Sequence, residues 1–162
     1  ILHDHFTPVH LACSLAIRPA AMPAELKNKA LVCYIDDEDE ISAAGGEWSE
    51  GMLHTQIREF GRYLVLVDTT APGIRSLDLD DADEPVSSES LRFIVTDGTS
   101  GIKSYEGYID NEWVLFEYDA KNDLVFYRFD PERLESGREH ELELYITDNK
   151  ENIAYYYATF YW

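Results

Sequence analysis

The chain has five histidines, the first residues to ask for chemistry. His3-Asp4-His5, with His10 nearby, is their one local cluster. On a strand, residues two apart point to the same face, so His3 and His5 could share a zinc ion. A catalytic zinc also needs further ligands, a base that activates water and an enclosing pocket, and the neighbouring residues supply none of these. No metal is therefore assigned. His54 and His140 stand alone in strand-like runs and read as strand residues rather than ligands.

Carboxylates are abundant, 32 against 13 Lys and Arg. The runs at 36–40 and 78–84 could attract Ca²⁺, a hard cation that prefers oxygen ligands. Both lack the ligand spacing and the glycine of an EF-hand loop, so solvated acidic loops are the simpler reading. No G-x-S-x-G elbow and no glycine-rich phosphate loop occurs, and the chain itself is read as non-catalytic, with no cofactor of its own. Trp48, Trp113, Trp162 and the 11 tyrosines could form a platform for sugar rings, although in strands such residues more often fill cores or pair across strands. Tyr105, Tyr108 and Trp113 are the candidate binding surface, because they flank one predicted turn. Cys13 and Cys33 could bridge only with Cα atoms within roughly 7 Å; two buried free thiols are the alternative.

These residues must be positioned by strands. The chain is 162 residues long and 45% hydrophobic, enough for one large domain or two small ones. A net charge of −19 repels phosphate backbones and anionic lipid, which excludes nucleic acid as a partner. No apolar stretch reaches the ~20 residues of a membrane helix. No Met, basic n-region or apolar h-region precedes the first strand-like run, and the chain is expected to be a piece of a longer protein whose export signal lies elsewhere.

Residues 9–17 alternate, with Val9, Leu11, Cys13, Leu15 and Ile17 on one face, which predicts a half-buried strand. Pro23 opens a single helical turn to Lys29. Strands follow at Ala30 to Ile35, within Ile41 to Trp48 beyond Gly45-Gly46, at Met52 to Phe60 after the turn Ser49-Glu50-Gly51, and at Tyr63 to Asp68. Thr69 to Gly73 marks a boundary, since Pro72 and Gly73 propagate neither ladder nor helix. From Ile74 about seven short strands in about 90 residues suggest an immunoglobulin-like or fibronectin III-like sandwich. Three of them, Ile102 to Ile109, Trp113 to Tyr118 and Leu124 to Phe129, are predicted to run as one meander. The fold class is thus all-β: two sandwich units over 1–70 and 71–162, with the completeness of the first left open.

Several stretches resemble a known family. They are Ser100-Gly101-Ile102 with Tyr105, Gly107-Tyr108-Ile109-Asp110, Trp113-Val114-Leu115-Phe116-Glu117-Tyr118-Asp119 and Thr147-Asp148. With Pro23 to Lys29, Gly45-Gly46-Glu47-Trp48, Phe60-Gly61 and Val67 to Pro72, they are similar to the C-terminal β-domains of Bacteroidetes lysostaphin-type (LytM-like) zinc peptidoglycan metallopeptidases. The resemblance implies an exported protein of the periplasm, the outer membrane or the medium. Its separate catalytic domain would hold the zinc, and this segment would accompany that domain as an accessory region contacting peptidoglycan or envelope proteins. No catalytic residue of that family falls within the matched stretches. Asp148-Asn149-Lys150-Glu151-Asn152 departs from the pattern, in which a glycine usually precedes Asn in the turn. A stand-alone carbohydrate- or protein-binding module of the adhesin type is the competing expectation.

Overall fold

The structure, a computed structural model, describes residues 2–3, 7, 9–79, 86 and 88–162. The chain divides into two compact units, Ile1–Thr70 and Ala71–Trp162. Both are all-β sandwiches apart from one short 3₁₀ turn.

In the first unit β1 (Cys13–Ile17), the 3₁₀ turn Ala24–Lys29, β2 (Ala30–Ile35), β3 (Ile41–Gly45), β4 (Glu47–Ser49), β5 (Met52–Ile57) and β6 (Arg62–Val67) follow one another. They form two three-stranded antiparallel sheets in the orders β1-β5-β4 and β3-β2-β6. Ala30 and Val32 from one sheet meet Leu53 from the other, and Leu15, Ile17, Trp48 and Val65 pack around them. Between β3 and β4 the chain changes sheet at Gly45 and Gly46, with φ of +73° and +136°. Those angles suit glycine, and a β-carbon on Gly46 would press on Leu53 at 3.1 Å. Glu50 and Gly51, both at positive φ, close a two-residue hairpin in which Ser49 pairs with Met52.

Two details differ from the sequence pattern. The first strand starts at Cys13 rather than Val9 because its partner β5 ends at Ile57, opposite Cys13. Among the described residues the ladder with β5 does not extend to 9–12, and Leu11 is 82% exposed despite its place in the alternation. Met52 to Phe60 likewise stops at Ile57. Cys13, half-buried on β1, and Cys33, buried on β2, lie in different sheets and form no disulfide with each other.

The second unit contains β7 (Gly73–Ser76), β8 (Ser90–Thr96), β9 (Ile102–Ile109), β10 (Glu112–Val114), β11 (Glu117–Asp119), β12 (Leu124–Arg128), β13 (Glu139–Asp148) and β14 (Ile153–Tyr161). Its two four-stranded sheets run β11-β12-β8-β7 and β10-β9-β13-β14. With β7, β8, β9, β12, β13 and β14 taken as strands A, B, C, E, F and G, this is the Greek-key partition of an immunoglobulin-type sandwich. Leu91, Phe93 and Val95 from β8 and Val125 and Tyr127 from β12 face Ile109, Leu142, Leu144 and Ile146 across the core.

The predicted meander is instead two hairpins in opposite sheets. The run Trp113 to Tyr118 breaks at Leu115-Phe116, with β10 paired to β9 and β11 paired to β12. The Phe116 ring is the reason: it turns inward, is 2% exposed, and lies against Gly107 and the rings of Phe93 and Tyr127. A β-carbon on Gly107 would fall inside the Phe116 ring, so Gly107 is the space into which the crossover folds. Its backbone φ is ordinary; the glycine is needed for room alone.

Gly107→Ala should therefore cost about 1–3 kcal/mol, as overpacking of a finished core does, and lower the melting temperature of the second unit by roughly 5 °C or more. Gly98→Ala, where a β-carbon meets nothing within 4 Å, is the control. Calorimetry should show the first variant destabilised and the second near wild type; equal melting would contradict this account of the crossover.

Candidate aromatic-carboxylate surface

Strand β13 pairs with β14 from Glu139 to Thr147 and with β9 from Leu142 to Asp148. His140, Leu142, Leu144 and Ile146 are all buried. The pleat then obliges Glu141, Glu143, Tyr145 and Thr147 to face outward. The neighbours follow the same rule: β14 turns Tyr155, Tyr157 and Tyr161 out, β9 turns out Glu106 and Tyr108, and β10 turns out Trp113. The register aligns Trp113, Tyr108, Glu143 and Tyr157 in one row across four strands. A second row runs Glu106, Tyr145 and Tyr155. Trp113 is 51% exposed, Tyr155 53% and Tyr157 49%.

Within this surface the Tyr145 hydroxyl donates to Glu143 Oε2 at 2.8 Å, and the Tyr108 hydroxyl approaches Glu106 Oε2 at 3.4 Å. Tyr145 meets Tyr108 edge-on at 6.3 Å between ring centroids and lies tilted against Tyr155 at 4.9 Å. Glu106, Tyr108, Asn111, Glu143 and Tyr145 line a shallow groove of about 420 Å³. The hydrogen bond to Glu143, joined by partial burial and the Glu143 charge, pushes the Tyr145 phenol up to about 12. Burial and the same carboxylate raise Tyr155, and burial with Glu141 raises Tyr157. Ionisation of Tyr145, Tyr155 and Tyr157 is thus made harder than for a free phenol.

The hairpin that presents Trp113 is anchored from below. Asp110 and Asn111, both at positive φ, form the two-residue turn between Ile109 and Glu112. The Asp110 carboxylate accepts the Glu141 N–H at 3.0 Å, the Arg138 guanidinium at 2.5 Å and His140 Nδ1 at 2.8 Å. The other nitrogen of His140 lies 2.8 Å from the Glu135 carbonyl. His140 is thus a fully buried structural residue bonded at both nitrogens, rather than an isolated strand histidine. Burial pushes the Asp110 carboxyl up, but the Glu141 N–H, the His140 ring and the Arg138 charge outweigh it and hold it below its ordinary 3.8.

Of the three sequence candidates, Tyr108 and Trp113 face each other on the outer surface. Tyr105 points the other way: it is half-buried, packs against the core and lies 5.8 Å from the Tyr118 ring. Trp48 packs in the first unit's core beneath Lys27, and Trp162 stacks on Phe129 at 4.7 Å, so neither joins the platform. Sequence reasoning missed Glu106, Glu143, Tyr145, Tyr155 and Tyr157. The signal was present in the alternation of 140–147 and in Tyr155 and Tyr157 two residues apart. It acquires meaning only with the register that places both strands beside β9.

The acidic residues singled out for cations have local roles where they are described. Asp36 accepts the N–H groups of Glu38 and Glu40, and Asp39 pairs with Arg62 at 2.8 Å. Residues 80–84 lie outside the described residues, as does His5, so the proposed pairing of His3 with His5 falls there too. The loop 149–152, whose missing glycine left its tight turn open, closes with Glu151 at φ +59° while Asp148 accepts the N–H groups of Lys150 and Asn152. His54 Nε2 lies 3.2 Å from the Ser49 carbonyl, and His10 is exposed.

The fold and this surface define the second unit as an immunoglobulin-type Greek-key sandwich with an open outer sheet. In comparisons with known proteins, residues 1–68 match the Zu5-like domain. No curated protein matches the chain. Among solved structures, the fibronectin(III)-like modules of Clostridium thermocellum CbhA superpose with a TM-score of 0.43 at 10% identity, over 91% of this chain and 84% of theirs. Among the described residues no helix is long and apolar enough to cross a membrane.

The sign of the Asp110 linkage is fixed by its geometry. A carboxyl held lower in the folded than in the unfolded state contributes fully above its unfolded value and loses that contribution as pH falls through the folded value. Urea unfolding should show Asp110→Asn destabilised by a constant amount from neutral pH down to about pH 5. The gap to wild type should close below the ordinary 3.8; a gap that widens in acid would contradict the assignment. Glu143→Gln should return the Tyr145 phenol from about 12 toward its ordinary 10, read by ring-carbon NMR titration; an unmoved resonance would remove Glu143 as the cause.

Proposed function

We propose that this chain is a non-catalytic accessory region of an exported cell-envelope protein. In this reading the outer face of the β10-β9-β13-β14 sheet contacts cell-wall glycan. The row Trp113, Tyr108, Glu143 and Tyr157 carries the proposal. Flat aromatic faces offer apolar area to the C–H faces of pyranose rings, and the neighbouring carboxylates and neutral phenols accept and donate hydrogen bonds to sugar hydroxyls. Four strands at roughly 4.8 Å spacing give the row a width of about 14 Å, the scale of a short oligosaccharide.

The parent protein is inferred to be a lysostaphin-type zinc peptidase of Bacteroidetes, with zinc and catalysis in its own peptidase domain and these β-units positioning that domain on the wall. That association rests on the sequence motifs; the family match and the solved structure name neither a peptidase nor that bacterial group. The motif residues serve as structure here. Gly107 makes room for Phe116, Asp110 locks the hairpin, and Asp148 builds the last turn.

Co-sedimentation with insoluble peptidoglycan tests the reading. Wild type should be retained, and Trp113→Ala should weaken retention about tenfold, worth ~1.4 kcal/mol of lost stacking. Leu115→Ala, which removes an exposed side chain from the sheet crossover, should bind as wild type. No retention of wild type, or retention indifferent to Trp113→Ala and Tyr108→Ala, would overturn the proposal. Retention on protein partners alone would favour the adhesin-type module.

A further inference from the structure

The outer face combines rings with uncompensated negative charge. Glu106, Glu141 and Glu143 belong to this surface, and none of them enters an ion pair with Lys, Arg or His among the described residues. The nearby basic groups are engaged elsewhere: Arg138 is held by Asp110 and Glu135, and Lys103 by Glu151. In the groove two carboxylates stand beside the ring walls of Tyr108 and Tyr145. Carboxylate oxygens and aromatic faces share one preference, for a positive charge. A neutral sugar would satisfy the rings and leave the carboxylates to hydroxyl contacts alone.

Resting on the glycan-facing reading above, we propose that the groove lined by Glu106, Tyr108, Glu143 and Tyr145 takes the protonated amine of an amino sugar that lacks its acetyl group. The geometry favours an amine carried directly on a sugar ring over one on a flexible peptide. Trp113, Tyr108 and Glu143 are successive partners on adjacent strands, so ring-stacking and charged positions are separated by about 5–10 Å. That distance is one to two pyranose units. A ring seated on Trp113 and Tyr108 thus presents its neighbour's C2 substituent to Glu143 and Glu106. An N-acetyl group at that position would carry no charge and would bring a methyl to two carboxylates. The groove of about 420 Å³ is large enough for a sugar-sized group and open to solvent.

The experiment uses the whole chain and three probes, a glucosamine tetramer, its fully N-acetylated counterpart and a tetralysine of equal charge, measured by calorimetry at low and moderate salt. The glucosamine tetramer should bind at least tenfold more tightly than the acetylated one, and more tightly than tetralysine. Glu106→Gln with Glu143→Gln should abolish that preference, while Asp37→Asn with Glu38→Gln in the first unit should leave it intact. Equal binding of the two tetramers overturns the amine inference while the glycan reading stands. A preference that survives the Glu106/Glu143 double variant, or tetralysine binding as tightly, reports the net charge of −19 acting as a bulk attractor and also overturns it. Failure of both tetramers together with absent peptidoglycan retention overturns the glycan reading itself.

Discussion

The second unit depends on the double pairing of strand β13. Leu142 to Thr147 pair with β9 on one edge and with β14 on the other, and this fixes each of their side chains to one face or the other. Burying Leu142, Leu144 and Ile146 at 0% exposure contributes about 1.5–3 kcal/mol each. A slip of one residue would put all three into solvent and draw Glu141, Glu143 and Tyr145 into the core. The same free energy that forms the core therefore holds the carboxylates and phenols outside, in register with Tyr108 and Tyr157. The outer surface is a by-product of core packing, and its precision is inherited from it.

A second constraint sets how far that surface extends. Both units use one device, a short edge strand that leaves its sheet and continues in the facing one. In the first unit the break is made by backbone freedom, at Gly45 and Gly46. In the second it is made by a side chain, Phe116, which turns inward over Gly107. The crossover ends β10 after three residues, so Trp113 is the central residue of a short edge strand. Asp110, bonded to His140, Arg138 and the Glu141 N–H, holds that edge to β13. Replacing this polar anchor by an apolar group would leave a buried ring nitrogen and a backbone N–H without partners, each costing on the order of 1–3 kcal/mol.

Much of this was legible in the sequence. The all-β class follows from short aromatic and β-branched runs punctuated by Asp, Asn and Gly. The 3₁₀ turn follows from Pro23, and the last long hairpin from the alternation of 140–147. The single meander differs from the structure because Trp113 to Phe116 is an unbroken apolar run, and nothing in its pattern shows that Phe116 turns inward onto Gly107. Leu11 failed for the converse reason: its alternation is sound, but the partner strand is too short to use it. Tyr108 and Trp113 could be named from their position around a turn. Glu143, Tyr145, Tyr155 and Tyr157 could not, because membership in one surface is decided by the register between strands tens of residues apart.

The chemistry of the outer face is that of rings set among carboxylates, with the Tyr145 hydroxyl bonded to Glu143. Under the proposed function such a face would meet a sugar through apolar ring area and directed hydrogen bonds. Its contact with glycan is the claim on which the functional reading stands. The most direct measurement is the nitrogen–proton spectrum of the three tryptophan indoles during titration with soluble peptidoglycan fragments. The account predicts that the Trp113 indole shifts in step with the backbone amides of Tyr108, Glu143 and Tyr157, while Trp48 and Trp162 stay in place. Shifts centred on Trp48 or Trp162, or a spectrum that does not change at saturating fragment, would contradict it.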